Sequence, residues 1–509
     1  MCGIAGFVDT LRQTPEADGI RAAEGMAERM KHRGPDDSGV WADARAGAFL
    51  SHRRLSIVDL SPAGRQPMAS QSGRYVIVLN GEIYNHLEIR GELDRSSAAP
   101  QWRGHSDTEV MLAAFERWGV PGAMPRFVGM FAFALWDRER RELTLARDRL
   151  GEKPLYWGRF GGSLLFASEL KGLEAHPAFR SDIDRDSTTL LLRLGYIPAP
   201  RSIFKGVRKV LPGTLLRIAH GREPAEESYW SPGEAALAGI ENPWRGSGRD
   251  AADELERLLA RSISLQLCAD VPVGVFLSGG IDSSTVVAIA QAQSATPVRT
   301  FSVGFHEKAY DEAPHAAAVA RHLGTDHTEL YVTPRETMAV IPSLPAMYDE
   351  PFADPSQIPT FLVSQLARRS VTVSLSGDGG DELFFGYDRY RLARKLWQAA
   401  AMLPGPVRRA ADAALGTVSA EAWNRLLLPL LRLAPARFRL ANPGEKMIKA
   451  ARLIAGPRSA MRLYRAVISH WEDPSRIVLG SSEPATVLTD ESRTILPGSS
   501  WDRPSPPPC

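Results

Sequence analysis

The chain has 509 residues, 44% of them hydrophobic and 24% charged, which excludes a disordered or fibrous class and provides for two or three domains, each with its own core. Sixty-one basic against 59 acidic residues leave a formal charge of +2. That balance carries no footprint for nucleic acid or an anionic membrane, so any anionic ligand must be held by a local site. Three cysteines, Cys2, Cys268 and Cys509, cannot frame a disulfide scaffold and point to a reducing compartment.

Residues 1 to 20 lack a basic start followed by an apolar core. The apolar run Leu426 to Leu431 is broken by Pro429 and falls far short of the ~20 residues that span a bilayer. A cytoplasmic location with no membrane partner is the expectation.

From Gly3 to about Ile218, short strand-like segments alternate with Gly, Pro and Asp turns. They are Ile4 to Val8, Ala48 to Val58, Tyr75 to Leu79, Met130 to Leu135, Leu143 to Arg147 and Leu164 to Ala167, read as antiparallel strands and hairpins. Residues 221–248, rich in Gly, Pro, Glu and Ser with little periodicity, read as a linker between domains at 1–220 and 249–495.

Beyond the linker an amphipathic helix carries Leu255, Leu258, Leu259, Ile263 and Leu267. Apolar strands at Val271 to Leu277, Thr300 to Phe305 and Val371 to Leu375 alternate with helices at Asp282 to Gln293, Ala313 to Leu323 and Ile358 to Arg368. Such alternation predicts a parallel sheet covered on both faces, with ligands at the carboxyl ends of its strands, after Leu277, Val303 and Leu375. Arg389 to Arg465 reads as helices with solvated basic faces, and the pattern dissolves beyond Leu479.

Cys2 carries a chemical possibility. If Met1 is removed, one residue supplies a thiol titrating near ~8.5 and an α-amine near ~7.7 to 8 that can accept its proton, nucleophile and base together. A buried strand-start cysteine would look the same. Asn80-Gly81-Glu82 closes a strand, and an Asn amide with a Gly N–H could make an oxyanion hole, although Asn-Gly is also a common hairpin turn. Arg54 could clamp a substrate carboxylate, and Glu82 and Asp107 could receive an ammonium group. Alternatively Asp107 caps the helix Thr108 to Trp118.

Ser278-Gly279-Gly280-Ile281-Asp282-Ser283-Ser284 stands between an apolar strand and a helix. Its glycines let backbone N–H groups approach an anion at a helix start. A Ser-Gly-Gly-x-Asp-Ser string arises by chance on the order of once per million positions, so it counts as a signal. It is neither a Walker A loop nor a dinucleotide fingerprint. Ser376-Gly377-Asp378-Gly379-Gly380-Asp381-Glu382 follows another apolar strand, and carboxylates gathered at a nucleotide site call for a metal ion.

Met1-Cys2-Gly3-Ile4-Ala5-Gly6, His32-Arg33-Gly34-Pro35-Asp36, Arg54-Leu55-Ser56-Ile57-Val58, Asn80-Gly81-Glu82-Ile83-Tyr84-Asn85 and Arg147-Asp148-Arg149-Leu150-Gly151 resemble the glutaminase domain of glutamine-hydrolysing asparagine synthetases, in that family's order. The Ser278 loop resembles the pyrophosphate loop of ATP pyrophosphatases. The resemblance implies an α+β amino-terminal-nucleophile domain, two stacked antiparallel sheets between helices, followed by an α/β ATP pyrophosphatase domain. It implies that Cys2 attacks glutamine, that Asn80 and Gly81 stabilise the oxyanion, and that Arg54, Leu55, Ser56, Ile57, Val58, Asn80, Gly81, Glu82 and Asp107 bind glutamine. In the second domain it implies ATP contacts at Leu277, Ser278, Gly279, Gly280, Asp282, Ser283, Val303, Ser376 and Gly377, Mg²⁺ at Asp282 and Asp381, and an acid–base role for Asp378.

Well-studied relatives have Glu where this chain has Asp378, a side chain one methylene shorter, which leaves the acceptor open. The implied reaction amidates aspartate through an acyl-adenylate, giving asparagine, glutamate, AMP and pyrophosphate. Two other readings are an amidotransferase acting on a different carboxylate, such as an acidic sugar, and a chain retaining only glutaminase or binding function. The family's later Tyr-Leu-Pro-Asp-Asp and Glu-x-Arg-Val-Pro-x-Leu-Asp strings are absent, so a truncation or frameshift near Thr489 to Ser500 is expected, with glutaminase activity retained and synthesis weakened. A homodimer is compatible with the sequence, which does not fix an oligomeric state.

Overall fold

The computed structural model describes residues 1–96, 99–307, 311–402, 419–432 and 460–490, with a few isolated positions between 404 and 448. The expected ending, Trp501 to Cys509, most of the expected break at Thr489 to Ser500, and much of the helical stretch expected up to Arg465 lie outside the described residues. The chain divides into two bodies, Met1–Leu191 with Gly195–Asp378, and Leu192–Leu194 with Gly379–Cys509.

The first body opens with β1 (Gly3–Asp9), α1 (Glu16–Glu28), β2 (Asp37–Asp43), β3 (Ala48–Arg54), β4 (Met68–Ala69), β5 (Tyr75–Ile83), α2 (His86–Asp94) and α3 (Asp107–Ala123). It continues with β6 (Gly129–Asp137), β7 (Glu142–Arg147), β8 (Tyr156–Phe160), β9 (Ser163–Ala167), α4 (Leu170–Glu174), α5 (Arg185–Leu194), β10 (Val207–Lys209), β11 (Thr214–Ala219) and β12 (Ala225–Ser228). Two six-stranded antiparallel sheets result, in the orders β10-β8-β9-β1-β3-β2 and β12-β11-β7-β6-β5-β4.

Their strands read as apolar runs because both faces of each sheet are covered. Along β1, Ile4 and Val8 face the other sheet while Ala5 and Phe7 pack under α1 and α4. Along β6, Ala132, Ala134 and Trp136 point between the sheets, and Phe131, Phe133 and Leu135 point to α2 and α3. The period of two thus sorts side chains between two cores, giving the layers helix, sheet, sheet, helix expected of the amino-terminal-nucleophile class.

After β12 come α6 (Pro232–Glu241), α7 (Gly248–Gln266), β13 (Val273–Phe276), α8 (Ile281–Ala292), β14 (Arg299–Phe305), α9 (Ala313–Leu323), β15 (Asp326–Val332), α10 (Pro334–Val340), α11 (Leu344–Met347), α12 (Gln357–Ala367) and β16 (Val373–Leu375). The strands form a four-stranded sheet ordered β15-β14-β13-β16, parallel throughout. Ile263, Val287 and Ala316 from α7, α8 and α9 pack with Val275, while Leu366 and Ala367 of α12 pack with Phe301. The expected α/β sheet is therefore present.

Several expectations differ from the chain's path. The strand expected over Ala48 to Val58 ends at Arg54, because the Leu55 N–H and C=O turn to the Cys2 sulfur instead of a ladder. The strand expected to close at Leu79 runs on to Ile83, with Asn80 opposite Ala132 and Gly81 opposite Phe131, so Asn80-Gly81 is no hairpin turn. Residues 221–248 hold a strand, β12, paired to β11, and a helix, α6, capped by Ser231 with Pro232 at its start. Strand β15 escapes the apolar pattern because its Asp-His-Thr-Glu opening lies on an exposed edge.

The second body contains α13 (Gly380–Phe384), α14 (Asp388–Met402) and helices at Ala420–Arg432 and Ala460–Ile468. Ala393 and Leu463 are buried where α14 meets the last of these, and Glu483 pairs with both Arg193 and Arg465. Among the described residues no helix is long and apolar enough to cross a membrane.

Candidate active site

The ends of β1, β3 and β5 and the start of α3 surround a cavity of about 270 Å³. Cys2, Arg54, Leu55, Ile57, Val58, Asn80, Gly81, Glu82 and Asp107 line it. Of the residues expected to meet glutamine only Ser56 is outside the lining; its N–H donates to Asp36 at 2.8 Å.

The Cys2 thiol is bracketed by one residue, accepting from the Leu55 N–H at 3.4 Å and donating to the Leu55 carbonyl at 3.6 Å. Arg33 Nε donates to the Cys2 carbonyl at 2.8 Å. Burial pushes the thiol up, against the opposing pull of Leu55 N–H and the nearby terminal ammonium. The Met1 amine is pushed down to about 5, first by burial and then by the cations of Arg33 and Lys153.

Asn80 is fully buried, and neither its Oδ1 nor its Nδ2 has a hydrogen-bond partner in the structure. A buried unpaired amide costs ~1–3 kcal/mol, and a ligand in the cavity could satisfy it. Next to it, Gly81 has φ +153°, and a Cβ there would lie 2.1 Å from the Met130 oxygen and 2.5 Å from Phe131 Cα. Close approach of β6 thus admits no side chain at 81.

Glu82 is raised to about 7, by burial and then by the neighbouring Asp107 carboxylate, with Lys153 opposing. Asp107 is itself raised by burial, although Ile83 N–H donates to it at 2.9 Å. Its neighbour Ser106, not Asp107, caps α3, accepting from Glu109 N–H. Two carboxyls held where charge is disfavoured are suited to a cationic ligand.

Arg54 is buried and its guanidinium is already engaged, donating to the carbonyls of Asp59 and of Ser61, the latter at 3.3 Å. It shapes the loop 55–61 as well as facing the cavity.

The sequence reading did not include Gln66, Thr108, Met130, Lys153 and Thr372 to Ser374 among the lining residues. Lys153, buried and with its ammonium pushed down by burial, stands two residues past the Arg147 to Gly151 motif, which was the available signal. Val373 and Ser374 belong to β16 and Thr372 directly precedes it, and only the fold brings them here.

At the other end of β13 and β16 the glycine loops meet. Gly279 has φ +80°, and a Cβ on it would lie 2.7 Å from the Ala316 N and 2.8 Å from His315 Cβ. Ser283 Oγ accepts from Ser278 N–H at 3.2 Å and lies 2.9 Å from Ser278 Oγ. Helix α8 starts at Gly280 without a side-chain cap, so its first N–H groups are open to an anion. Gly377 packs on that start, where a Cβ would fall 2.8 Å from Ser283 N.

Asp282 lies in the first turn of α8. Leu277 is buried in the core and its N–H donates to Phe301 O, whereas Val303 is partly buried on β14. Ser376 Oγ donates to Asp378 at 2.9 Å. Asp381 belongs to the second body, in the first turn of α13. Among the described residues no three His, Cys, Asp or Glu side chains gather as a metal cage.

Comparison with known proteins matches two families in succession along the chain. The family described as glutamine amidotransferase domain matches residues 1–230, and the one described as asparagine synthase matches residues 254–503. The putative glutamine-hydrolysing asparagine synthetase of Mycobacterium tuberculosis is 38% identical over 80% of this chain and 64% of its own length. Asparagine synthetase 1 of Bacillus subtilis is 35% identical over 77% of this chain and 60% of its own. The putative asparagine synthetase 2 of Methanocaldococcus jannaschii is 35% identical over 76% of both chains. The chain thus spans somewhat less than two thirds of the mycobacterial and Bacillus relatives and about three quarters of the archaeal one.

Proposed function

The chain belongs to the family of glutamine-hydrolysing asparagine synthetases, and from that premise we propose that it frees ammonia from glutamine at Cys2 and transfers it to an ATP-activated carboxylate, with aspartate as acceptor. The observation that carries this is the unpartnered Asn80 amide in the wall of the Cys2 cavity, since it is the kind of donor a developing oxyanion requires.

With Met1 removed, the Cys2 sulfur adds to the side-chain amide carbon of glutamine and its proton passes to the residue's own α-amine. The carbonyl oxygen becomes an oxyanion facing Asn80 Nδ2 and Gly81 N–H. Collapse breaks the C–N bond, the proton leaves with the nitrogen as ammonia, and water then cleaves the thioester to glutamate and restores the thiol. Glu82 and Asp107 are suited to the substrate's α-ammonium, and Arg54 to its carboxylate.

In the second half-reaction an aspartate side-chain oxygen displaces pyrophosphate from the α-phosphate of ATP, and ammonia then displaces AMP. The uncapped α8 start and the Ser278 to Ser283 loop fit the phosphates. Asp282, in the first turn of α8, would hold Mg²⁺, which would neutralise phosphate charge. The acid–base role falls to Asp378. Strand β16 and the residue before it lend Thr372 to Ser374 to the glutamine cavity, and the strand leads over its three residues, on the order of 10 Å, to Ser376 and Gly377. That continuity supports ammonia passing within the first body.

Incubation with glutamine, ATP, Mg²⁺ and aspartate, followed by assays of glutamate, pyrophosphate and asparagine, tests the proposal. All three products are expected, and Cys2→Ser is expected to stop glutamate release. Pyrophosphate without asparagine would reassign the acceptor, and glutamate release undiminished in the variant would remove Cys2 from the chemistry.

A further inference from the structure

Loop 55–61 supplies Leu55, Ile57 and Val58 to the cavity, yet it belongs to no sheet. What holds it comes from far along the chain. The Asp270 carboxylate accepts from the Asp59 N–H at 2.8 Å and pairs with His105 Nε2 at 2.7 Å through the same oxygen. The Asp270 N–H donates to the Ile57 carbonyl at 3.0 Å. One residue therefore grips the loop on both sides of Val58.

The grip continues inward. The Asp59 side chain is fully buried and accepts from Ser61 N–H and His105 N–H, the latter at 2.8 Å, while its carbonyl accepts from Arg54. Asp59 has φ +57°, a backbone state that a non-glycine residue keeps only when its surroundings hold it. Outward, Asp270 stands just before β13, and the Pro272 carbonyl accepts from Thr372 N–H at 3.0 Å at the entry to β16. The strands that end in the nucleotide loops therefore begin at the segment that holds the glutamine loop.

We propose that Asp270, with His105, is a positioning residue for the glutamine site: the parallel-sheet half of the chain holds loop 55–61 in the conformation that brackets the Cys2 thiol and shapes the substrate wall. This deepens, and rests on, the reading of the Cys2 cavity as a glutamine site. Asp270 touches no substrate; it acts through Ile57, Asp59 and Arg54.

The test uses the full chain and the variants Asp270→Ala and Asp270→Asn, since the Asn side-chain oxygen can accept from the same donors. Hydrogen exchange of the Asp59 amide reads the loop directly, and glutaminase kinetics read its consequence. Asp270→Ala is expected to speed that exchange and to raise the glutamine KM by about 10-fold with kcat within about 2-fold, whereas Asp270→Asn restores both. A merely destabilised protein would lose kcat through loss of active enzyme and leave KM in place, and that pattern overturns the proposal. Unchanged exchange in Asp270→Ala overturns it as well. Wild-type protein that releases no glutamate, with exchange still accelerated in Asp270→Ala, would instead refute the glutamine reading and leave the loop-holding role standing.

Discussion

Arg33 and Glu169 form a largely buried ion pair, Nη1 to Oε1 at 2.7 Å, and the same guanidinium donates from Nε to the Cys2 carbonyl at 2.8 Å. The Cys2 main chain is thus anchored to a charge network that extends through Lys171, 2.9 Å from both Glu169 and Asp349.

Burial alone would raise the Glu169 carboxyl, yet the His32 hydrogen bond, the Arg33 charge and Lys171 together bring it down to about 2. A carboxyl depressed from its ordinary 4.5 contributes stability that is present above that value and is lost as pH falls toward 2. Glu169→Gln is expected to cost about 3 kcal/mol at pH 7, with the difference from wild type shrinking between pH 4.5 and 2. Urea midpoints measured across that range check it, and a difference independent of pH would contradict it.

Asn80 should separate function from stability. An apolar side chain of similar shape in Asn80→Leu removes the unpaired amide, so the variant is expected to be more stable by about 1–2 kcal/mol. Its glutaminase kcat is expected to fall by about 10²–10³-fold, the usual loss of an oxyanion donor. Denaturation and glutamate assays on one preparation decide both.

Gly81→Ala should fail differently. The added methyl meets the Met130 carbonyl and Phe131 Cα, backbone atoms locked into the β5–β6 ladder, at a φ that disfavours side chains. A loss of about 3 kcal/mol or more is expected from overpacking and strain combined, read from the urea midpoint. A variant of wild-type stability would show that β6 can give way.

Glu82 should make glutamine binding depend on pH. Its carboxyl is raised to about 7 by burial and Asp107, so the empty protein loses stability as pH climbs from 4.5 through 7, while a bound ammonium favours the ionised form. The glutamine KM is accordingly expected to fall by about 5–10-fold from pH 6 to pH 7.5, and Glu82→Gln to give a high, flat profile. A flat wild-type profile would exclude Glu82 from substrate recognition.

Much of the site was legible in the sequence because its chemistry is carried by residues close in the chain. Cys2 at the start, Asn80-Gly81-Glu82 in one strand and the Ser278 to Ser284 loop each combine rare residue types with spacing that restricts their use. Elements whose apolar pattern reports a buried face, β1, β6 and β13 among them, were legible for the same reason. Edge strand β15, with its polar opening, and β12, with Glu at two of four positions, offered no such pattern.

Tertiary structure decided what those residues face. That Asn80-Gly81 continues a strand instead of turning depends on β6 lying against it, a pairing between segments about fifty residues apart. That Leu55 brackets the thiol, that β16 walls the cavity and that Asp270 grips loop 55–61 are contacts across 53 to more than 200 positions. Local sequence encodes propensity and reactivity, which are properties of neighbouring residues; proximity between distant segments arises only when both sheets and the parallel domain pack, because burial of their apolar faces, not any signal at the contact itself, brings them together.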